Sequence, residues 1–583
     1  MYRSRRRPLP VVALLLVSLS VLAGCTNAPP PPLVESTSSA PTSEPPPTEP
    51  AQPKVVVAGI DELSGGFNPH ALADQSPVTD ALSELMLPSA FVPGPDGKQV
   101  LNDTLLKSAE VVGDADEFTV RYRIRTGAGW SDGAPIAAED FVYLWEQMRD
   151  RSGVVNPVGY RMISDVESRQ GGKTVLVTFD QPYPGWKSLF DHLLPAHLLK
   201  DAPGGWTDTL DKGYPASGGP FAIRRFDLDR GEVVLMRNER FWGKPAKSDR
   251  IVLRAADRSA NLNALRSGKV QMGMFTADGR TMDALRDLDE QVSLTTLPRP
   301  VTSTLLLRRT SPQLSDVRVR RAVLAALDRN ALVRKGTEGG PAQQLRAHSQ
   351  VLAPSQPGYS PTEPAGEFPD SPQPQRVERL LKEAGYQHTG GSWVRDGAPL
   401  NLVIAAQFED ESYEDVANAV AEQLAAQDIQ ATVITPEGDE LYRTMLPADP
   451  ETRGSPDAAE VDLAVAPRPV GPDPASTMAS QWGCPGVDPE TGRTAAFNMT
   501  GFCDRLLQPT IEAATTGETS FEKASARVEP ALWSSAVALP LYQEAQVLAV
   551  RREISGVEDG PGFAGPFSSA GDWVGAPGES YDW

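Results

Sequence analysis

Strand-like and helix-like patterns alternate along this chain from about residue 54 onward, and this alternation limits the possible folds more than any other feature. Residues 118–124 alternate apolar and polar side chains, the period of two typical of a half-buried strand. Similar strand patterns lie at 55–60, 174–179, 232–236, 251–253, 304–307, 402–406, 431–434 and 463–466. Helical spacing, with apolar residues at i, i+3, i+4 and i+7, lies at 141–148, 319–326 and 377–384. Strands and hairpins dominate up to about residue 310, whereas 311–530 alternates in the βαβ manner, so we expect an α/β architecture of two lobes.

The first 25 residues are typical of a lipoprotein leader. Arginines at positions 3, 5, 6 and 7 precede the apolar stretch 11–23, which is too short to span a bilayer comfortably. Small residues then lead directly into Cys25, an arrangement that favours acylation of this cysteine over a simple cleaved secretory peptide. We therefore expect a mature chain that starts at Cys25 and is held by acyl chains at the extracytoplasmic face of the membrane.

The segment after the leader predicts a tether. Residues 26–53 include ten prolines, with Ser, Thr, Glu and Ala making up most of the rest, so no apolar core can form there. Without the four leader arginines, 51 basic and 76 acidic residues remain, which gives a net charge of −25. Such an acidic chain is a poor ligand for nucleic acid or anionic lipid, so the acyl anchor has to provide the attachment to the membrane.

Two cysteines, Cys484 and Cys503, follow the leader. In an exported protein an isolated pair of this kind most simply forms one disulfide. A metal or redox site is the alternative, but neither cysteine belongs to a C-x-x-C motif and no histidine is near in sequence. We expect the disulfide, with no metal and no cofactor.

Five segments together resemble the family 5 extracellular solute-binding proteins, the peptide, nickel and oligosaccharide receptors of ABC importers. They are a hairpin and helix with W-x-D-G-x-P and A-E-D, a G-G-P-F turn, an R-N-x-x-F-W-G-x-P segment, an L-x-S-G-x-V turn and a D-V-R-V-R helix. In this sequence they lie at 122–141, 217–221, 237–245, 263–269 and 316–329. These residues specify a scaffold and carry no chemistry of their own, because a fold does not by itself determine a ligand.

The resemblance implies a two-lobed binding-protein fold with a large central cleft. The implied first lobe is 54–310, with a sub-domain at about 95–215 and a C-terminal segment, about 531–583, that rejoins it. The second lobe would be 311–530, after the leader 1–24 and the tether 25–53. The aromatic C-terminal segment, with Phe567 and Trp573, is expected to dock onto the first lobe. A monomer is expected.

A narrower resemblance, to the lipoproteins of the mycobacterial cell envelope within this family, covers nearly the whole mature chain. The segments that carry it are 66–70, 72–79, 87–91, 181–184, 194–197 and 241–247. It implies binding or sensing of a phosphatidylinositol mannoside, steering its use in lipomannan and lipoarabinomannan synthesis, with a membrane glycosyltransferase as a possible partner. The alternative is the substrate-binding lipoprotein of an ABC importer for oligopeptides or another small solute, working with a permease.

One departure from the peptide receptors concerns the ligand. In those receptors, a carboxylate before a Gly-Asp-Pro-like turn pairs with the α-amine of the peptide; here the matching stretch, 466–474, contains Arg468 and no acid before the turn. A buried ammonium without a carboxylate is costly, so this stretch disfavours free peptide and favours an anionic or sugar-phosphate ligand. Arg468 is expected to pair with phosphate, and its removal to weaken binding without lowering the melting temperature. A solvated loop position for Arg468 is the other possibility.

Aromatic side chains near glycines and prolines are the candidates for sugar stacking, although each could instead pack beneath its own loop. Together with Arg468 and the motif at 66–70, they give a set of expected ligand-binding residues: Phe67, Asn68, Tyr160, Trp186, Tyr214, Arg468 and Trp482. No G-x-S-x-G, H-E-x-x-H or Walker pattern occurs, so we expect a binding protein and no enzyme.

Overall fold

The computed structural model describes residues 53–63, 66–95, 97–113, 118–288, 290–368, 370–408, 410–447, 461–487, 494–495, 498–560 and 563–575. The predicted leader, Cys25 and all but the last residue of the predicted tether lie outside these residues. Within them, no helix is long and apolar enough to cross a membrane.

Strands and helices follow one another along the described chain. The strands are β1 (Val55–Ile60), β2 (Phe91–Pro93), β3 (Gln99–Leu101), β4 (Leu106–Val111), β5 (Thr119–Ile124), β6 (Ile163–Arg169), β7 (Thr174–Phe179), β8 (Phe221–Asp227), β9 (Glu232–Arg237), β10 (Arg250–Ala255), β11 (Met272–Phe275), β12 (Val292–Leu307), β13 (Gln387–Thr389), β14 (Ser392–Arg395), β15 (Ala398–Pro399), β16 (Asn401–Ala406), β17 (Gln430–Ile434), β18 (Leu463–Pro469), β19 (Gly486–Val487), β20 (Thr494–Ala495) and β21 (Ala538–Arg551). The α-helices are α1 (Pro77–Met86), α2 (Ala138–Asp150), α3 (Val158–Arg161), α4 (Ala196–Leu199), α5 (Gly205–Leu210), α6 (Arg258–Ser267), α7 (Gly279–Arg286), α8 (Val317–Ala325), α9 (Arg329–Thr337), α10 (Pro374–Glu383), α11 (Glu411–Ala425), α12 (Gly438–Glu440), α13 (Pro474–Trp482), α14 (Gln508–Thr515) and α15 (Phe521–Ser535).

A ten-stranded mixed sheet organises the molecule, in the order β17-β16-β18-β12-β21-β11-β1-β10-β9-β8. Two long antiparallel strands, β12 and β21, run through its middle. Strand β21 also pairs with β11, which continues the sheet into the first lobe. Strand β12 also pairs with β18, which continues the sheet into the second lobe. The register of the pair shifts between Pro298 and Thr302. The two lobes are therefore connected by a pair of strands that both share.

Side-chain alternation along these strands builds a core on each face of the sheet. On β1, Val56, Ala58 and Ile60 pack into the main first-lobe core, whereas Val55 and Val57 point to a second cluster on the opposite face. On β12, Leu305 and Leu307 enter one second-lobe cluster and Leu306 enters the other. Helices cover both faces, which explains why these strands read as nearly continuous apolar runs.

A separate four-stranded antiparallel sheet, β4-β5-β7-β6, lies within the first-lobe part of the chain, with α2 packed on it. Helix α2 buries Phe141, Leu144 and Met148, the stripe predicted from the sequence. The C-terminal segment after β21 includes a 3₁₀-helix, Pro566–Asp572, and its Phe567 and Trp573 are buried in the first-lobe core. Tyr581 and Trp583 lie outside the described residues, and the exact domain boundaries stay predictions.

Cys484 and Cys503 form a disulfide in the structure, with an S–S distance of 2.10 Å. The bridge closes a loop between α13 and α14, and the backbone N–H of Cys484 also donates to Gln508 Oε1 at 2.7 Å. It joins two segments that both pack into the second-lobe cluster around Trp482 and Phe502.

Candidate ligand-binding cavity

A cavity of about 630 Å³ lies between the two lobes, within the size range of small-ligand sites. Its walls come from the segments that follow parallel strands in both lobes. These are the residues after β1 (Asp61, Glu62), after β10 (Ala256, Asp257, Arg258), after β11 (Thr276, Ala277, Asp278) and after β16 (Gln407, Phe408, Asp410). Open α/β sheets bind ligands outside the carboxyl ends of their strands, so the topology itself places the cavity here.

Four helices begin at the cavity, and their capping side chains are part of its wall. Ser76 caps α1, Asp257 caps α6, Asp278 caps α7 and Asp410 caps α11. In each case the capping oxygen accepts a backbone N–H at the third residue after it; for Asp410 the donor is Tyr413. Three of the carboxylates in the cavity wall therefore cap the N-termini of helices.

The cavity wall is rich in carboxylates. Ten acidic residues line it: Asp61, Glu62, Asp74, Asp257, Asp278, Glu338, Asp410, Glu411, Asp415 and Glu544. Three basic residues line it, and each contacts a carboxylate: Arg258 lies 2.9 Å from Asp278 and 3.1 Å from Glu338, Lys335 lies 2.9 Å from Asp415, and Arg299 contacts Glu544. The wall therefore offers many hydrogen-bond acceptors and no cation that lacks a carboxylate partner among these lining residues.

Arg299 lies on β12 at the register shift and connects both lobes at the floor of the cavity. Its Nη2 donates to Asp80 of α1 at 3.0 Å, and its Nη1 donates to Glu544 of β21 at 2.5 Å. Glu544 in turn accepts from the phenol of Tyr413 on α11. Burial alone would lower the pKa of the Arg299 guanidinium, but Asp80 and Glu544 raise it above its ordinary value. This network holds a buried charge in place by contacts from four elements.

Three cavity carboxyls titrate near neutral pH. Burial raises the pKa of Asp61 to about 6 and the pKa values of Asp74 and Asp410 to about 7 each. For Asp410, the neighbouring Glu544 also contributes to this shift in pKa. At neutral pH the cavity is therefore less negative than its ten carboxyls suggest, and a protonated carboxyl can also donate a hydrogen bond.

Replacing Asp410 by Asn is expected to change how stability depends on pH. Because the folded pKa of Asp410 lies above its ordinary value of 3.8, its contribution to stability is complete below pH 4 and is lost as the pH rises through 7. Asn caps a helix as well as Asp but does not ionise. The free energy of unfolding of Asp410→Asn, minus that of wild type, should therefore rise by about 2 kcal/mol from pH 5 to pH 8 in urea titrations. The same substitution at exposed Asp283 is the control, and equal pH profiles for wild type and Asp410→Asn would contradict this.

The lobes contact each other around the cavity. Gln407 Nε2 of the second lobe donates to Ala73 O of the first at 2.8 Å, and Arg258 of the first lobe contacts Glu338 of the second. Beyond the cavity, the Tyr183 phenol lies 2.7 Å from Ser476 Oγ at the start of α13. The two lobes thus contact each other both beside the cavity and beyond it.

The residues that sequence reasoning chose as ligand contacts lie elsewhere. All seven are buried, and none of them lines the cavity: Phe67, Asn68, Tyr160, Trp186, Tyr214, Arg468 and Trp482. In the core, the phenol oxygen of Tyr160 accepts the Phe190 N–H, and the Tyr214 phenol donates to Phe67 O. Three of the five aromatic residues lie on helices, namely Tyr160, Trp186 and Trp482, and all five pack into the hydrophobic cores.

Arg468 lies in surroundings that differ from those expected from its position in the sequence. It is 2% exposed, and its guanidinium donates to Thr304 Oγ1 at 3.1 Å and to Gln350 O. It also lies 5.2 Å from the centre of the Trp482 ring, and burial lowers its pKa to about 10. Arg468 is therefore neither a solvated loop residue nor a cavity cation but a packed part of the second-lobe interior.

The cavity residues that sequence reasoning missed follow a simple rule. Asp61, Glu62 and Phe408 come one or two residues after strands that were predicted correctly, and Asp410 follows at four. Applying the carboxyl-end rule to those strands would have selected them. Arg299 and Glu544 had no such signal, because their contact depends on the pairing of β12 with β21, and the two residues are 245 positions apart in the sequence.

Comparison with known proteins identifies the family. The family model described as bacterial extracellular solute-binding proteins, family 5, middle region, matches residues 104–487, about two thirds of the chain. The chain belongs to this family. The resemblance inferred from the five sequence segments is thereby confirmed, and the family places the protein among extracellular solute-binding proteins.

Individual family 5 relatives differ in how much of the chain they match. A protein named "Probable monoacyl phosphatidylinositol tetramannoside-binding protein LpqW", from Mycobacterium tuberculosis, is 34% identical over 98% of both chains. The oligopeptide-binding protein OppA of Mycobacterium bovis is 28% identical over 57% of this chain and 55% of its own. The narrower resemblance to mycobacterial envelope lipoproteins is thus supported along nearly the whole chain.

The solved structure of the oligopeptide-binding protein AppA from Bacillus subtilis, in complex with a nonapeptide, has a TM-score of 0.70 and 17% identity, covering 91% of this chain and all of AppA. At this identity the likeness shows the fold. It confirms the expected two-lobed α/β architecture of family 5 proteins.

Proposed function

We propose that this protein is a non-enzymatic, extracytoplasmic lipoprotein that binds a phosphatidylinositol mannoside through its sugar part. The observation that carries the proposal is the identity of 34% over 98% of both chains to a protein named for binding monoacyl phosphatidylinositol tetramannoside. Because the match extends over both lobes, it includes every segment that lines the cavity.

The chemistry of the cavity supports a neutral, hydroxyl-rich ligand group. A sugar hydroxyl donates and accepts hydrogen bonds, and an ionised carboxylate accepts at both oxygens. A wall with ten carboxyls and three ion-paired cations suits such donors. The same wall disfavours a phosphate, since its basic side chains already contact carboxylates. We therefore place mannose rings in the cavity and the phosphate and acyl groups outside it.

Acylation at Cys25 would hold the protein at the membrane where such a glycolipid resides. A Pro-rich tether of 28 residues reaches at most roughly 90 Å when extended, so the cavity can approach a lipid headgroup without insertion of the folded part. In this role the protein presents or senses the mannoside for a membrane glycosyltransferase and so steers lipomannan and lipoarabinomannan synthesis.

A second function, delivery of oligopeptides to an ABC permease, is favoured by one observation. The carboxylate-rich wall could pair with the α-amine of a peptide even though Arg468 occupies the position expected for the amine-binding acid. In this case Asp61, Asp74 or Asp410 would replace the carboxylate found before the turn in peptide receptors.

Titration calorimetry against four ligands separates the two functions. The panel is monoacyl phosphatidylinositol tetramannoside, free mannotetraose, inositol 1-phosphate and a mixture of short free peptides. We expect the glycolipid and mannotetraose to bind, with Kd values of about 1–100 μM for the free sugar, and inositol phosphate not to bind. Binding of peptides without binding of either mannoside would overturn the glycolipid function and establish the importer function.

A further inference from the structure

We infer that Phe408 is the aromatic platform on which one pyranose ring of the ligand lies. The inference rests on the proposed sugar-binding function and names a residue that performs it. Phe408 is 45% exposed. Among the large hydrophobic side chains that the structure describes as exposed, it is the one that lines the cavity.

The position of Phe408 is held by contacts on both sides of it in the chain. It follows β16 directly after Gln407, whose side chain bonds to Ala73 of the opposite lobe. The N–H of Phe408 donates to Pro436 O at 2.9 Å, and the N–H of Asp410 donates to Gln407 O at 3.3 Å. The backbone is therefore anchored, and the ring remains open to the cavity.

The surroundings of Phe408 suit both the apolar face and the polar edge of a sugar ring. A pyranose has an apolar C–H face and an edge of hydroxyl groups. An aromatic ring covers the first, and acceptors nearby satisfy the second. Asp410 and Glu411, just beyond Phe408 in the chain, line the same cavity. A short peptide lacks this combination, whereas inositol phosphate has hydroxyls around its ring but adds a phosphate, and the basic side chains of the wall already contact carboxylates.

The aromatic residues that sequence reasoning assigned to sugar stacking are buried, which leaves few rings for this role. Tyr413 and Tyr542 also line the cavity, but both are almost fully buried, and their phenols are engaged with Glu544 and with Gly336 O. Phe408 is thus the cavity aromatic with a substantial free surface among the described lining residues.

Calorimetry of mannotetraose binding to substituted full-length protein tests the inference. Phe408→Ala is expected to weaken binding about fivefold to tenfold, and Phe408→Trp to bind within about threefold of wild type, because a larger ring preserves the platform. Leu506→Ala is the matched control, since Leu506 is 85% exposed and does not line the cavity. Melting temperatures of all variants should stay close to wild type, which separates loss of stacking from loss of fold.

The outcomes distinguish this inference from the proposed function. If wild type binds mannotetraose and Phe408→Ala binds equally well, the platform is wrong and the function stands. If wild type binds neither mannotetraose nor the glycolipid, the proposed function is wrong, and so is the inference about Phe408 that rests on it. If wild type binds the intact glycolipid but not the free sugar, recognition depends on the lipid or phosphate and the platform is again wrong.

Discussion

Arg468→Ala is expected to lower the free energy of unfolding by about 3 kcal/mol, with little specific effect on ligand binding by the protein that remains folded. The substitution removes a buried side chain that bonds to Thr304 and Gln350 and stacks on Trp482, and it leaves a void between β18 and α13. Gln350 O keeps one partner, because Trp482 Nε1 donates to it at 3.0 Å. Thermal and urea unfolding measure the loss.

A second substitution at the same position separates packing from charge. Arg468→Met fills much of the volume and removes a charge whose burial is unfavourable, as the lowered pKa of about 10 indicates. We expect it to recover at least half of the stability that Arg468→Ala loses. A stable Arg468→Ala protein with weakened mannoside binding would instead restore the phosphate-binding role that the sequence suggested.

The scaffold could be predicted from the sequence because its signals are local. The alternating residues 118–124 contain the whole of β5, and the stripes at 319–326 and 377–384 cover most of α8 and α10. Each pattern depends on one face meeting a core, which is a property of a short segment. The segments that resemble the family gave the order of these elements, and the two-lobed fold was predicted from that order.

The site could not be predicted in the same way because burial of a loop is a tertiary property. Trp482 looked like an exposed loop aromatic beside Gly483, but it ends helix α13 and is 1% exposed. Arg468 looked like the start of a loop, but it lies on β18, which is buried along its whole length. A polar or aromatic residue of the same type can line a binding site or pack in a core. Which of the two occurs depends on tertiary packing, which a short stretch of sequence does not determine.

The negative charge of the chain is distributed unevenly, and the cavity carries a large share of it. The mature chain, with a net charge of −25, was expected to be a poor ligand for nucleic acid and anionic lipid. The structure concentrates ten of its carboxyls on one cavity and pairs the cations there, so the charge now discriminates between parts of a single ligand. A phosphate is disfavoured inside the cavity, whereas hydroxyl groups find acceptors.

Arg299→Ala is expected to have the largest effect of the substitutions considered, lowering the free energy of unfolding by about 3–5 kcal/mol. Removing the guanidinium, which is 9% exposed, leaves Glu544, whose side chain is 19% exposed, without its cation, whereas Asp80, at 44% exposed, can regain water. The same contacts join α1 of the first lobe to the shared strand β21, and through Glu544 to Tyr413 of the second lobe. Mannoside binding should weaken together with stability, because the cavity floor loses its fixed arrangement.

Arg258→Ala is the matched control for this prediction. Arg258 also connects the lobes at the cavity, contacting Asp278 and Glu338, but its side chain is 44% exposed. An exposed ion pair contributes at most about 1 kcal/mol, so this variant should unfold nearly like wild type. Equal, small losses for both variants would mean that the Arg299 network is as solvated as the Arg258 pair. A large loss confined to Arg299→Ala would show that the lobes are coupled through the buried charge at the register shift of β12, and not through the ion pairs at the rim.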